Sequence, residues 1–157
     1  ALHTPSGLHL PAMLAQIRDS KGDALGVHRT FLKPDGSGKA EVTPAKMMLG
    51  PSSGGAVRFG PDNRVIALAE GIETALSVSR ASRLTVWATL STSGLKGLIL
   101  PPPPVAEVVI IAADHDEAGL AAAEVTAARL EAEGRAVSVI YPPKPGADFN
   151  DVLRGDA

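Results

Sequence analysis

Cysteine is absent from this chain of 157 residues. That excludes disulfides and any thiolate zinc site within it. Aromatic residues are scarce, at 3%, so the core has to be built mainly from Val, Ile, Leu and Ala. No apolar run approaches the roughly 20 residues that a membrane-spanning helix needs. The start of the chain shows neither the basic n-region nor the apolar h-region of a secretory signal. A cytoplasmic location without a membrane partner is therefore expected. The chain opens Ala1-Leu2-His3 without Met and reads as a piece of something longer.

What is present is ordinary in amount and uneven in distribution. Apolar residues make up 45% and charged residues 20%, as in many soluble domains. The length suffices for one domain, or for one with a smaller companion. The net charge of −2 conceals an asymmetry. Residues 12–64 hold eight Lys/Arg against five acids, whereas 65–157 hold seven against twelve, giving +3 and −5. A basic part joined to an acidic part suits a protein that grips a polyanion with one and binds metal with the other. Taken alone, the asymmetry is equally an ordinary solvated surface.

Turn signals divide the chain. Met13–Asp19 and Ala24–Leu32 read as strands joined through Ser20-Lys21-Gly22-Asp23, a hairpin turn. Lys33-Pro34-Asp35-Gly36-Ser37-Gly38 is a loop. Lys46–Leu49 and Ala56–Phe59 are short strands. Residues 1–63 are thus expected to form a small basic β-rich subdomain. After Gly60-Pro61-Asp62-Asn63 strands alternate with helices. Strand 65–69 leads to a helix from about Ile72 to Ala81, whose face is expected to be Ile72, Ala75, Leu76 and Ser79. Strand 85–89, a helical segment 93–100, a spacer at Pro101–Pro104 and strand 108–113 follow. Then come a helix over 117–133 closed by Gly134, strand 136–141 and a short helix near 150–154. Glu117, Glu124 and Glu131 recur every seven residues and read as a solvent-exposed stripe. Alternation of β and α predicts an α/β fold over 64–157, a mostly parallel sheet flanked by helices. The near-continuous apolar runs at 108–113 and 136–141 are expected to be fully buried strands.

Carboxylates gather where these strands end. Glu70 follows Val65-Ile66-Ala67-Leu68-Ala69. Asp114 and Asp116 follow Val108–Ala113, and Asp148, Asn150 and Asp151 follow strand 136–141 after a short loop. Ligands of open α/β sheets bind at the carboxyl ends of strands. Carboxylates collected there repel one another unless a hard divalent cation lies between them. Two Asp spaced by two on extended chain point the same way, while His115 between them points away and is a poor ligand. Each cluster also has a plainer reading. Glu70 favours a helix dipole, and Asp116 and Asp148 serve as N-caps.

The order of these pieces is more specific than any one of them. Leu68-Ala69-Glu70-Gly71, then Ile111-Ala112-Ala113-Asp114-His115-Asp116-Glu117-Ala118-Gly119, then Gly146-Ala147-Asp148-Phe149-Asn150-Asp151 resembles the Toprim domain. That domain is shared by bacterial-type primases, topoisomerases, nucleases of the OLD type and recombination mediators. The stretches Ala15–Asp19, Gly26–Arg29 and Thr43–Gly50 resemble the region ahead of Toprim in bacterial and phage primases, with Lys46 on that family's proline-lysine motif.

The resemblance implies a metal-dependent nucleotidyltransferase, the catalytic core of a DNA primase that makes short primers during DNA replication. It implies a phage, plasmid or mobile-element character. Glu70, Asp114, Asp116, Asp148 and Asn150 would hold Mg²⁺ or Mn²⁺, with Glu70, Asp114 and Asp116 catalytic. Lys46, Arg29 and Arg58 would neutralise phosphates. Single-stranded DNA template and nucleoside triphosphates would be its partners, with a separate or fused replicative helicase. Two features depart from the family pattern. Thr74 stands where many members have Asp, and Asn150 where many bacterial primases have Asp. The zinc module that usually precedes the core cannot lie in a chain without Cys, and the helical segment that usually follows it is missing. A Toprim nuclease is the enzymatic alternative, and a non-catalytic nucleic-acid-binding module the other. Keeping Glu70, Asp114, Asp116 and Asp148 together weighs against a decayed site. A topoisomerase needs a nucleophilic tyrosine, and Tyr141, the only Tyr, is expected at the end of a buried strand.

Overall fold

The computed structural model describes residues 1–155. A short ladder of β1 (Leu2–His3) and β2 (Leu8–His9) leads into β3 (Ala12–Arg18), β4 (Ala24–Phe31) and β5 (Lys46–Leu49), an antiparallel sheet in that order. The second sheet contains β6 (Val57–Phe59), β7 (Val65–Ala69), β8 (Thr85–Ala88), β9 (Val108–Ala112) and β10 (Ala136–Ile140). Its order is β10-β9-β7-β8-β6, parallel throughout except for β6. Helices α1 (Ile72–Ser82), α2 (Thr92–Gly97), α3 (Glu117–Ala132) and α4 (Phe149–Arg154) lie in the connections and after β10. This is the expected mixed α/β architecture, a Toprim-like sheet preceded by small antiparallel strands.

Alternation along the strands sorts the core into two layers. Ile66, Leu68, Trp87, Val109 and Ile111 pack against Leu95 and Leu98, and against Ala122, Ala123 and Leu130 of α3. From the opposite face Ala67, Ala69, Val86, Ala88 and Ala112 pack against Ile72, Ala75 and Val78 of α1. Small side chains on that second face let α1 sit close. The antiparallel sheet is stitched to the larger one at a seam. Arg18 and Ala56 exchange backbone hydrogen bonds of 2.9 and 3.0 Å, and Ile17, fully buried, enters the second core layer.

Loops are fixed by identifiable groups. Helix α3 ends with Gly134 at φ +86°, a left-handed conformation that glycine takes without penalty. Arg135 N–H then returns to Leu130 O and Gly134 N–H to Glu131 O. The buried Arg135 guanidinium donates to the carbonyls of Pro101, Val105 and Ala106, holding the proline-rich connection against the sheet. Glu117, Glu124 and Glu131 are exposed.

Three expectations need correction. Strand β10 is not buried but forms the edge of the sheet, and four of its five residues are exposed. Its apolar run reflects β-propensity on an uncovered edge, not double-sided burial. Tyr141 lies beyond β10 and is 53% exposed. On α1, Leu76 is exposed, and Thr74, Ser77 and Val78 take the inner face with Ile72 and Ala75.

Candidate active site

Parallel strands deliver their ends to one edge. Ala69 of β7 pairs with Ala112 of β9, and Ala112 with Ile140 of β10. The chain therefore leaves all three strands level, and Glu70 and Asp114 emerge beside each other. Asp148 joins them because His115 N–H donates to Ala147 O (3.0 Å) and Gly146 N–H to His115 O (2.7 Å). Glu70, Gly71, Glu73, Thr74, Leu90, Asp114, Asp148 and Asn150 line a cleft of about 380 Å³, together with Lys39 and Lys46 from the antiparallel part.

Each acidic side chain has a defined setting. Burial pushes the Glu70 carboxyl up, and the charges of Asp114 and Asp116 push it further, partly offset by Lys46. Burial likewise raises Asp114, with repulsion from Asp148 and Asp116 added and the Thr74 hydroxyl opposing. Thr74 Oγ1 donates to Asp114 Oδ1 over 3.4 Å. Asp116 caps α3, its Oδ1 accepting from Gly119 N–H at 2.7 Å. Asp148 and Asp151 form a reciprocal capping box on α4. Ser77 Oγ donates to Asn150 Oδ1 at 3.5 Å.

The glycines of this region serve close approach. A Cβ on Gly119 would stand 2.6 Å from Asp114 O. Helix α2 begins with the same geometry. Ser91 caps it by accepting from Gly94 N–H at 2.9 Å, and a Cβ on Gly94 would stand 2.0 Å from Thr89 O. In both corners the cap lies three residues before the glycine and two after the obstructing carbonyl. Leu90, inside the first corner, holds φ +72°, which is costly for a branched side chain. Its N–H donates to Glu70 O at 2.7 Å and fixes the backbone there.

The basic residues divide. Lys46 Nζ lies 3.1 Å from Glu73 Oε1, and Lys39 Nζ lies 3.0 Å from the same oxygen. Arg29 is not brought to the cleft. It pairs with Met47 on the face of the antiparallel sheet opposite His28 and Lys46. Its guanidinium donates to Leu2 O and lies 5.5 Å from the Phe31 ring. Arg58 is not there either. Its guanidinium stacks 3.8 Å from the Trp87 ring, binds Asp62 and Asp19 O, and its side chain is 8% exposed. His115 turns its ring outward, where Nδ1–H donates to Pro142 O at 2.7 Å beside Tyr141.

The donors are all oxygens, and repulsion among Glu70, Asp114 and Asp148 is the kind that a hard cation relieves. Among the described residues no group of three or more His, Cys, Asp or Glu stands close enough to enclose a metal as placed. Two of the carboxylates each spend one oxygen on a helix cap and keep the second. The site thus fits Mg²⁺ or Mn²⁺ in donor chemistry and in charge. Sequence alone does not single out Lys39 or Glu73. Glu73 is visible only as the acid beside Thr74, and Lys39 only as a charge ending a glycine-rich loop.

The family described as Toprim domain matches residues 65–156. A domain of unknown function (DUF7146) matches residues 2–59. No curated protein matches the chain. Among solved structures, a DNA primase domain from Pseudomonas aeruginosa is similar with a TM-score of 0.60 at 19% identity, over 92% of this chain and 47% of that one. The Aquifex aeolicus primase, comprising zinc-binding and RNA polymerase domains, gives 0.61 at 18%, over 92% and 37%. A chain of the bacteriophage T7 lagging-strand polymerase assembly with primase domains, bound to an RNA/DNA hybrid and dTTP, gives 0.57 at 18%, over 94% and 74%. The chain spans about half the length of the bacterial primase cores that it resembles.

Proposed function

The chain belongs to the Toprim domain family, and we propose that it is the catalytic core of a DNA primase, joining nucleotides on a single-stranded template. The observation that carries this reading is the meeting of Glu70, Asp114 and Asp148, from the ends of adjacent parallel strands, with Lys46 across one cleft. That arrangement offers oxygen ligands on one wall and cations for phosphates on the other. We read residues 1–63 as the basic part and 64–157 as the Toprim part of one primase core. Template DNA, nucleoside triphosphates and a fused or separate helicase are the partners that this reading assigns.

Asp114 and Asp148, with the second oxygen of Asp116 and with Asn150, would hold Mg²⁺ or Mn²⁺. Bound there, the cation supplies charge stabilisation for attacking and leaving oxygens in phosphoryl transfer. Glu70 is the candidate general base for a 3′-hydroxyl. Its raised pKa brings it closer to the range in which a base is useful, and Leu90 N–H fixes its backbone. Thr74 orients Asp114, and Ser77 orients Asn150. Lys46 neutralises phosphate. Arg58 and Arg29, held in stacking and backbone contacts, maintain the scaffold.

The test is incubation with single-stranded template, labelled nucleotides and Mn²⁺, for the wild type and Asp114→Ala. Template-dependent products that vanish in the variant support the proposal. Strand shortening without nucleotides would make the chain a nuclease using water at the same cleft. Nucleic-acid binding with neither product, and no metal-induced thermal stabilisation, would make it a binding module.

A further inference from the structure

Strand β10 leaves its outer side open. At its start Ala136 N–H donates to Glu107 O, and at its end Ile140 O accepts from Ala113 N–H, both at 2.9 Å. A parallel ladder takes the backbone groups of every second residue, so those of Ser138 also face β9. Val137 and Val139 then turn their N–H and C=O away from the sheet, where no further strand lies among the described residues. Natural edges are blunted by lysine, proline, a bulge or an inward charge. Ala136–Ile140 carries none of these, and its register with β9 is unbroken. Arg135, just ahead of it, is drawn inward by backbone carbonyls. The opposite edge, β6, is closed instead, because it carries Arg58 and Ala56 ahead of it pairs with Arg18. We propose that β10 is a docking edge, which takes an extended basic segment of a partner protein as an added strand.

Helix α3 supplies the charge that selects this segment. Arg129 donates to Leu98 O, so its flank of α3 faces the end of α2. Glu124 and Glu131 lie about half a turn around the helix from Arg129. Helix α2 follows β8, and β10 lies beyond β9 on the other side of β7, so the flank with the two glutamates is turned toward the open edge. Both glutamates are exposed. Among the described residues neither has an ion pair, whereas Glu133 is taken by Arg129 and Arg135. Val137 packs into the core layer that α3 covers, so Val139 and any residue paired beside it share that face. Lysine or arginine at alternate positions of an added strand would stand beside the glutamates. β-Branched side chains between them would meet Ile140 on the other face, which is 40% exposed. A second copy of β10 offers no cation and would bring its own glutamates against these. Backbone pairing supplies the affinity, and the charge on α3 supplies the preference.

Fluorescence anisotropy of a labelled peptide of alternating lysine and valine, titrated with the whole chain, tests this. The same peptide N-methylated on its lysines or on its valines needs no variant. One form should keep its binding and the other lose it, because only one set of N–H groups meets β10. Two forms that behave alike overturn strand addition. Val139→Pro removes an outward N–H and leaves the β9 ladder whole. It should melt near the wild type and weaken binding by about tenfold or more. Glu124→Lys combined with Glu131→Lys should weaken binding by about threefold to tenfold. A peptide of alternating glutamate and valine should not bind the wild type, and equal binding of the two peptides overturns the preference for a basic segment. A basic peptide seated in the acidic cleft would be indifferent to Val139→Pro, and that result overturns the proposal. Absence of binding at millimolar chain overturns it too. Sedimentation of the chain alone covers the remaining occupant. A dimer that Val139→Pro abolishes would assign the edge to a second copy, and the proposal would be wrong.

Discussion

The Thr74 hydroxyl donates to Asp114 Oδ1 across 3.4 Å, from the position where many relatives are expected to carry a further acid. On the proposed reading, Thr74 steadies a metal ligand in place of supplying one. The exchange removes a negative charge from a place where Asp114 is already repelled by Asp148 and Asp116. Thr74→Asp should therefore lower the metal-free melting temperature by about 2–4 °C and increase the stabilisation by Mn²⁺. Thr74→Val, which loses only the hydrogen bond, should weaken Mn²⁺ stabilisation without that metal-free loss. Thermal melts of both variants, with and without Mn²⁺, decide the matter.

The pH dependence of stability follows from opposite shifts in one cleft. Glu70 and Asp114 are raised above their ordinary values of 4.5 and 3.8. A carboxyl held up in the fold binds its proton more tightly there than when unfolded. Its stabilising contribution is complete below the ordinary value and is lost as pH rises through the folded one. Through these two groups, metal-free protein should lose stability as pH rises above about 4. Asp114→Asn should flatten that loss and raise the melting temperature at neutral pH by about 2–4 °C. A variant no more stable than the wild type there would contradict the repulsion.

Glu73 behaves in the other sense. Burial pushes its carboxyl up, but its own backbone N–H and the bonds from Lys39 and Lys46 outweigh burial and bring it down to about 2. Its contribution is present above the ordinary 4.5 and disappears as pH falls toward about 2. Acid titration of Glu73→Gln should show a shallower decline across that window than the wild type. Partial exposure keeps the difference modest.

Arg58 is a packing residue. Its stacking on Trp87 and its bond to Asp62 predict that Arg58→Ala lowers the melting temperature by roughly 5 °C. Nucleic-acid affinity and its salt slope should not change. Lys46→Ala should do the reverse, reducing the slope while leaving the melt close to wild type. Trp87, the only tryptophan, reports the Arg58 change directly in fluorescence.

Gly119 sets the distance between α3 and the Asp114 carbonyl. Gly119→Ala improves helix propensity, yet its Cβ would stand 2.6 Å from Asp114 O and 3.3 Å from Asp116 Oδ1. Overpacking should prevail, at about 1–3 kcal/mol of lost stability and with weaker Mn²⁺ stabilisation. A melt equal to or above wild type would mean that α3 shifts freely and that the close approach has no role.

Much of this was legible in the chain because its punctuation is strong. Gly60-Pro61-Asp62-Asn63 separates the two patterns, and β5 and β7 begin and end where the residues suggest. Glu70, Asp114 and Asp148 were recognisable because each directly follows a strand or its loop. What stayed hidden depends on pairing between distant segments. The edge position of β10 follows from strand order, which an apolar run does not encode. Arg58 looked like a phosphate contact because the antiparallel register that sets it opposite Trp87 joins β6 to β8 across an intervening strand and helix. Lys39, in the connection between β4 and β5, and Glu73 on α1 meet by an ion pair between segments that are distant in sequence. The inner face of α1 differs from expectation because Thr74 and Ser77 satisfy their hydroxyls on Asp114 and Asn150, distant in sequence, and so tolerate burial.

The two strand-to-helix corners, Thr89–Gly94 and Asp114–Gly119, give the chain an uncharged twin of its own acidic turn. Thr89 and Ser91 hold the offsets that Asp114 and Asp116 hold, against a glycine at the same place whose Cβ would meet the carbonyl at 2.0 Å in one corner and 2.6 Å in the other. Charge at such a corner is therefore an option that the backbone permits, not a condition for building it. The corner after β8 and the corner after β9, two strands apart in the sheet, differ in charge while each opens a helix. One inherited turn could in this way present its carboxylates at different points along the sheet edge.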